Sequence, residues 1–377
     1  MSVTTESWCE RDGHKHFECF VDFNDWLDGD SDEADAVREA YGLSIVSWPS
    51  KALFAGDKEA YDQVFKSYRD QKRREVLSGD YIKTTFGDEH WFERNEVRFD
   101  QLVTLLKEET VVPFIGAGVS VAGGFPTWKD HLRKQGKTAG MDPAAIEAHL
   151  AKGEYEAVIE TIEATRGAET FAQEIRDAFS KTGKLEDITL RITELFKDTL
   201  ITTNYDRLLE QAFDTGPGEE IQVINSTNAM GSPDPTKIAI IKLHGDVRSP
   251  ASCILGKRQY DQAYGETSLD LARPIPKLLQ YYYTNSSLLF VGCSLNNDRT
   301  IQVFQAVKED RRTKGTLDLP QHFSIEQAPE TLSELENRNA ALLKLGITPI
   351  WFPKGEFTKV EGILRHAYNE LKYQLAK

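Results

Sequence analysis

Four short runs constrain the fold of this chain more than anything else in it. "VVPFIG" (111–116), "TLITTN" (199–204), "IAIIKLHG" (238–245) and "LLFVGCSL" (288–295) are rich in Val, Ile, Leu, Phe or Thr, with little of the polar alternation that a one-sided sheet shows. Strands of that kind are buried on both faces, and the helical patterns between them provide the cover, which predicts a parallel sheet in an α/β fold. The segment 145–180 reads as helix throughout and is too long for a simple crossover. The predicted architecture is therefore a Rossmann-like parallel sheet with a helical subdomain inserted at about residues 140–185. "LLKLGITPIWFP" adds one more strand, and "VEGILRHAYNELKYQL" a closing helix.

The first 97 residues read differently and form an N-terminal extension to a domain spanning 98–377. "DFNDWLDGDSDEADAVREAYG" is acidic with interleaved aromatics, and Tyr61, Val64, Phe65 and Tyr68 recur at helical spacing opposite a charged face. This extension is the expected surface for self-assembly or for a partner.

Composition excludes several classes of function. With 45 Lys and Arg against 60 Asp and Glu the formal charge is −15, so the average surface repels phosphate and direct nucleic-acid binding is not expected. No apolar run nears the roughly 18 residues of a membrane span, and the polar start lacks the apolar stretch of a secretory signal, so a cytoplasmic protein is expected. Cys9, Cys19, Cys253 and Cys293 are too few and too scattered for a disulfide framework.

All four runs stop on small or polar residues: Gly116, Gly118 and Ser120; Asn204 and Asp206; His244 and Asp246; Gly292, Ser294 and Asn296. In an open parallel sheet the ligand crevice lies outside the carboxyl ends of the strands, so these four clusters converge on one site. Each has a plainer explanation when taken alone. The glycine pair is an incomplete G-x-G-x-x-G, with Val121 in the third place, and could be a tight turn. Asn204 could cap the helix over "YDRLLEQAF", and His244 could be a satisfied core histidine. Their joint placement at neighbouring strand ends favours the ligand site.

"GAGVS" with "FPTW", "TTNYD", "KLHG" and "FVGCSL", in this order, resemble the sirtuins, and within them a sirtuin-like branch of bacterial antiviral defence, over about residues 98–370. The resemblance implies an NAD site with Gly116, Ala117, Gly118 and Ser120 on the phosphates and Asn204 and His244 in catalysis. Thr203, Asp206, Gly292, Ser294 and Asn296 would line the rest of the dinucleotide. Two departures separate this chain from protein deacylases. It has no Cys-x-x-Cys pair for a zinc ribbon, and Phe125, Pro126, Thr127 and Trp128 stand where a deacylase continues with Asp-Phe-Arg. Both point to hydrolysis of NAD itself, releasing nicotinamide and ADP-ribose, with no cofactor beyond the substrate. The resemblance further implies NAD depletion in abortive infection, an oligomeric assembly, and a HerA-type DNA-translocating ATPase as a candidate partner. The competing readings are a non-catalytic NAD or ADP-ribose-binding module that gates a partner, and, more remotely, a deacylase or ADP-ribosyltransferase.

Three other patterns are set aside. Cys9, His14, His16 and Cys19 do not have familiar zinc spacing, so no metal is expected. Asp28, Asp30, Asp32 and Glu39 mimic a calcium loop but place Glu33 where glycine is required. Arg69, Lys72, Arg73 and Arg74 are interleaved with Asp70 and Glu75 and read as an ion-paired helix face.

Overall fold

A computed structural model describes residues 17–87, 90–216, 218–225, 233–249, 252–296, 298–315 and 318–375. Cys9, His14 and His16 lie outside the described residues.

Seven parallel strands form one sheet: β1 (Val111–Ile115), β2 (Thr199–Thr202), β3 (Ile221–Asn225), β4 (Ile238–Lys242), β5 (Ser287–Val291), β6 (His322–Gln327) and β7 (Ile347–Phe352). Their order is β3-β4-β2-β1-β5-β6-β7. From β1 the chain adds β2 beside it, then β3 at the edge and β4 between β2 and β3, and then crosses to place β5, β6 and β7 on the other side. That reversal puts the topological switch point, where open α/β sheets bind ligands, between β1 and β5. Every residue of β1, β2, β4 and β5 is buried. Leu200, Ile201, Ile240 and Phe290 are typical, and each such side chain stabilises the fold by about 1.5–3 kcal/mol relative to an exposed one. β3 and β6 were not read from the sequence.

Between β1 and β2 the chain forms a helical layer from Trp128 to Leu195. Helix Tyr155–Arg166 buries Val158, Ile159 and Ile162 on one stripe. They join Ile146, Phe171 and Ile175 in a core that also takes in Phe125 and Tyr205 from the loops at the strand ends and Leu208 from the helix after β2. Thr127 and Asp142 start two of these helices, accepting from the amides of Asp130 and Ala145 at 3.0 and 3.1 Å.

The described chain divides into two units. The larger runs from Glu108 to Glu326 and includes Ser333–Ile350. The smaller joins the helices up to Lys107 with residues 327–332 and 351–377. Its core is aromatic: Phe20, Phe23, Phe54, Tyr61 and Tyr373 pack with one another, and Asn95 bonds both backbone groups of Trp351 at 2.7 and 2.9 Å. The basic run lies on helix Lys58–Val76 and is spent within this unit. Arg69 pairs with Glu370, Lys72 with Glu75, Arg73 with Glu96 and Asp100, and Arg74 with Asp80. Asp32–Ala40 is a helix capped by Ser31, so Glu39 is a helical residue rather than the end of a cation-binding loop. Among the described residues no helix is long and apolar enough to cross a membrane.

Candidate active site

Strand register brings the four clusters to one level. Ile115 pairs with Thr202 on one side and Val291 on the other, and Thr202 pairs with Lys242. Gly116, Thr203 and Gly292 therefore each stand one residue beyond a common row, and Asn204 and His244 two residues beyond it on adjacent strands.

The glycines serve backbone crossing first. Gly116 and Gly118 donate their amides to the carbonyls of Val291 and Gly292, both at 2.9 Å. A Cβ on Gly116 would lie 2.4 Å from the Gly292 carbonyl oxygen, and one on Gly118 2.8 Å from Gly292 Cα. Gly292 itself has φ +68°, and its Cβ would meet the Val119 amide at 2.7 Å. The loops after β1 and β5 thus touch backbone to backbone at the switch point, which no side chain permits. Gly118 remains exposed at the crevice, and Ala117 is half-buried beside it.

Asn204 is fixed by a chain of hydrogen bonds. Its Nδ2 donates to the Gly116 carbonyl at 2.9 Å and to Ser120 Oγ at 2.8 Å, which uses both amide hydrogens and leaves Oδ1 as an acceptor. Ser120 donates onward to Asp206 Oδ2 at 2.6 Å, and Asp206 Oδ1 accepts from the Leu208 amide at 3.1 Å. The Asn204 amide donates to Thr202 Oγ1 at 3.0 Å, whose hydroxyl in turn donates to the Ile115 carbonyl at 2.9 Å. A cavity of about 10 Å³, the room one water needs, lies among Ser120, Thr202, Asn204, Asp206 and Lys242. Gly116, Ser120, Asn204 and Asp206 are thus one network, with Thr203 half-buried next to it.

His244 occupies the adjoining strand end without a direct bond to that network. Its Nε2 lies 3.0 Å from Tyr264 Oη, and the Tyr260 ring meets it edge-on at 5.3 Å. Burial between these rings pushes the imidazole down to about 4, so it is neutral at neutral pH. Gly245 follows with φ +90°, where a Cβ would fall 2.2 Å from the Ser252 carbonyl oxygen, and this close approach aims the histidine loop.

Ser294 and Asn296 form a separate limb beyond β5, the first exposed and the second half-buried. Arg338 holds this loop by donating to the Ser294 and Leu295 carbonyls at 2.9 and 3.3 Å, while Leu295 takes φ +45°. The sequence reading missed Tyr264, as well as Asp298, which caps helix Arg299–Thr313 and whose carboxyl burial raises to about 6. It also missed Lys242 and Glu210. A signal for that pair existed, since each is a charged residue inside an otherwise apolar strand or helix stripe.

This arrangement is a doubly covered parallel sheet of the α/β class with an Asn, a neutral His and a glycine crossing at its switch point. Residues 198–350 match the SIR2-like domain, which takes in β2 through most of β7. Three curated relatives are each named NAD(+) hydrolase ThsA. The protein of Cytobacillus dafuensis is 27% identical over 175 residues, 46% of this chain and 34% of the relative. That of Bacillus cereus (strain MSX-D12) is 27% identical over 284 residues, 70% of this chain and 55% of the relative. That of Acinetobacter baumannii (strain 532279) is 24% identical over 214 residues, 56% and 42% respectively. The aligned portions span from about a third to just over half the length of these relatives.

Proposed function

We propose that this protein hydrolyses NAD to nicotinamide and ADP-ribose, in antiviral defence by NAD depletion. The observation that carries this reading is Asn204, whose amide hydrogens are both committed so that Oδ1 is left to orient a water. The nicotinamide of NAD is cationic and leaves neutral, so the site has to stabilise an oxocarbenium-like transition state and aim a nucleophile rather than supply a strong acid. In this reading the dinucleotide lies along the β1–β5 crevice. Its diphosphate sits over Ala117 and Gly118, beside Gly116 and Ser120, its ribose near Thr203, Asp206 and His244, and its other half along Gly292, Ser294 and Asn296. Incubating the purified protein with NAD and no acylated peptide, then separating the products by chromatography, tests it. Stoichiometric nicotinamide and ADP-ribose are expected. Intact NAD together with tight ADP-ribose binding in a calorimeter would favour the binding module instead.

A neutral His244 fits a hydrogen bond to a ribose hydroxyl better than strong base catalysis. Turnover is therefore expected to show no His244 inflection between about pH 5 and 8, with an acid limb only near 4. An inflection near pH 6.5 that disappears in His244→Asn would instead assign a base of ordinary strength. The same shift costs stability as pH falls from 6.5 toward 4, because the unfolded imidazole takes up a proton that the native one refuses.

Such an activity has to be silent in a healthy cell, and we assign its control to self-assembly or to a separate partner, a HerA-type ATPase being the candidate the resemblance supplies. An exposed apolar stretch of the N-terminal extension supports an assembly surface: Ile45 is 97% and Trp48 60% exposed, with Tyr41 and Val46 beside them. Ile45→Glu with Trp48→Glu is expected to lower the mass measured by sedimentation. Wild-type mass in that double variant would remove this surface from the reading.

A further inference from the structure

Lys242 ends β4 with 1% of its surface exposed, an ammonium in a strand whose other residues are all buried and apolar. Its Nζ donates to the Asp206 carbonyl at 2.5 Å and reaches the Tyr205 carbonyl at 3.4 Å. It pairs with Glu210 at 3.0 Å, itself fully buried on helix Leu208–Asp214, and lies 3.6 Å from Asp246. Tyr205 and Asp206 directly follow Asn204, and Asp246 follows His244 by two residues. One ammonium thus touches the segments that lead out of both candidate catalytic positions. Stability alone does not explain such a pair, because an apolar pair of similar volume commonly stabilises a core as well or better.

We propose that Lys242, held by Glu210, is a positioning residue that clamps the 205–206 backbone and Asp246, so that Asn204 and His244 present a fixed geometry to the bound dinucleotide. The clamp carries the site's shape at two points. The Asp206 whose carbonyl it holds is the residue whose carboxylate anchors Ser120, and Ser120 in turn accepts from Asn204. A displacement of about 1 Å at reacting groups costs on the order of 100-fold in rate. The catalytic consequence rests on the hydrolase reading, whereas the clamp is measurable without it.

The experiment compares wild type with the double variant Lys242→Met/Glu210→Leu, which removes both charges and refills the space. Hydrogen exchange is followed at the amides of 203–208, and NAD turnover is measured beside it. Exchange in that segment is expected to rise at least ~10-fold while β1 and β5 stay protected, and kcat to fall about 100-fold with KM within about threefold. If the double variant does not fold, Glu210→Gln carries the same comparison by removing the nearer of the two carboxylates beside Lys242 and leaving only Asp246 at 3.6 Å. Unchanged exchange at 203–208 would overturn the clamp, and faster exchange with full kcat would overturn its positioning role. A wild type without turnover whose segment still loosens on substitution supports the clamp and tells against the hydrolase reading alone.

Discussion

Asn204→Ala is expected to lower NAD turnover by about 100- to 1,000-fold while leaving the fold in place, the scale seen when one preorganised polar group is removed from a transition-state site. The substitution deletes Oδ1, the acceptor left to orient water, and the two donations to Gly116 and Ser120. Losing those two bonds at a half-buried position costs about 1–3 kcal/mol, and for a unit of this size each kcal/mol lowers the melting temperature by about 2–4 °C. The variant should therefore melt only modestly below wild type, so that lost turnover cannot be attributed to unfolding. Asn204→Asp sharpens the test. It keeps acceptor oxygens but points a carboxylate at the Gly116 carbonyl, so it should misplace the group and be nearly as inactive. Nicotinamide release within threefold of wild type in Asn204→Ala would remove Asn204 from the chemistry.

Much of this architecture was readable because burial on both faces writes itself into a strand as an unbroken apolar run, as in "IAIIK" and "LLFV". The two unread strands fail that rule for opposite reasons. β3 is an edge strand, half-exposed along most of its length, and "IQVIN" is too short and mixed to stand out. β6, "HFSIEQ", places His322, Ser324 and Glu326 inside the protein, where composition argues against a buried strand. Long-range partners resolve two of them: His322 Nδ1 accepts from the Leu288 amide at 3.1 Å, and Arg338 pairs with Glu326 at 2.9 Å. The site divides the same way. Asn204 and His244 stood out because strand ends expose polar residues at predictable places. Tyr264, which bonds His244, sits on a helix twenty residues further along and follows from no local spacing. The glycines were noticed for the room they leave a ligand, while the geometry gives Gly116 and Gly118 a nearer neighbour in the Gly292 backbone.

That crossing supplies the second large effect, and three alanine substitutions separate its causes. Gly124→Ala imposes only backbone strain, with φ +87° and nothing within 4 Å of the new Cβ, and should cost about 1–2 kcal/mol. Gly116→Ala imposes only contact: its φ of −103° suits any residue, but the Cβ falls 2.4 Å from one backbone atom and 2.8 Å from another, for about 2–3 kcal/mol. Gly292→Ala combines both, and its cost should approach their sum, about 3–5 kcal/mol. Thermal melting at one scan rate should rank the three as Gly124, Gly116 and Gly292, in order of increasing loss. Turnover should not follow that ranking. Gly116→Ala also shifts the carbonyl that Asn204 holds, so its activity should fall by more than its stability accounts for, whereas Gly124→Ala should stay close to wild type. If Gly116→Ala melts with Gly124→Ala and keeps full activity, the two loops are not locked by that contact, and the geometry of Asn204 must be set from β2 and Ser120 alone.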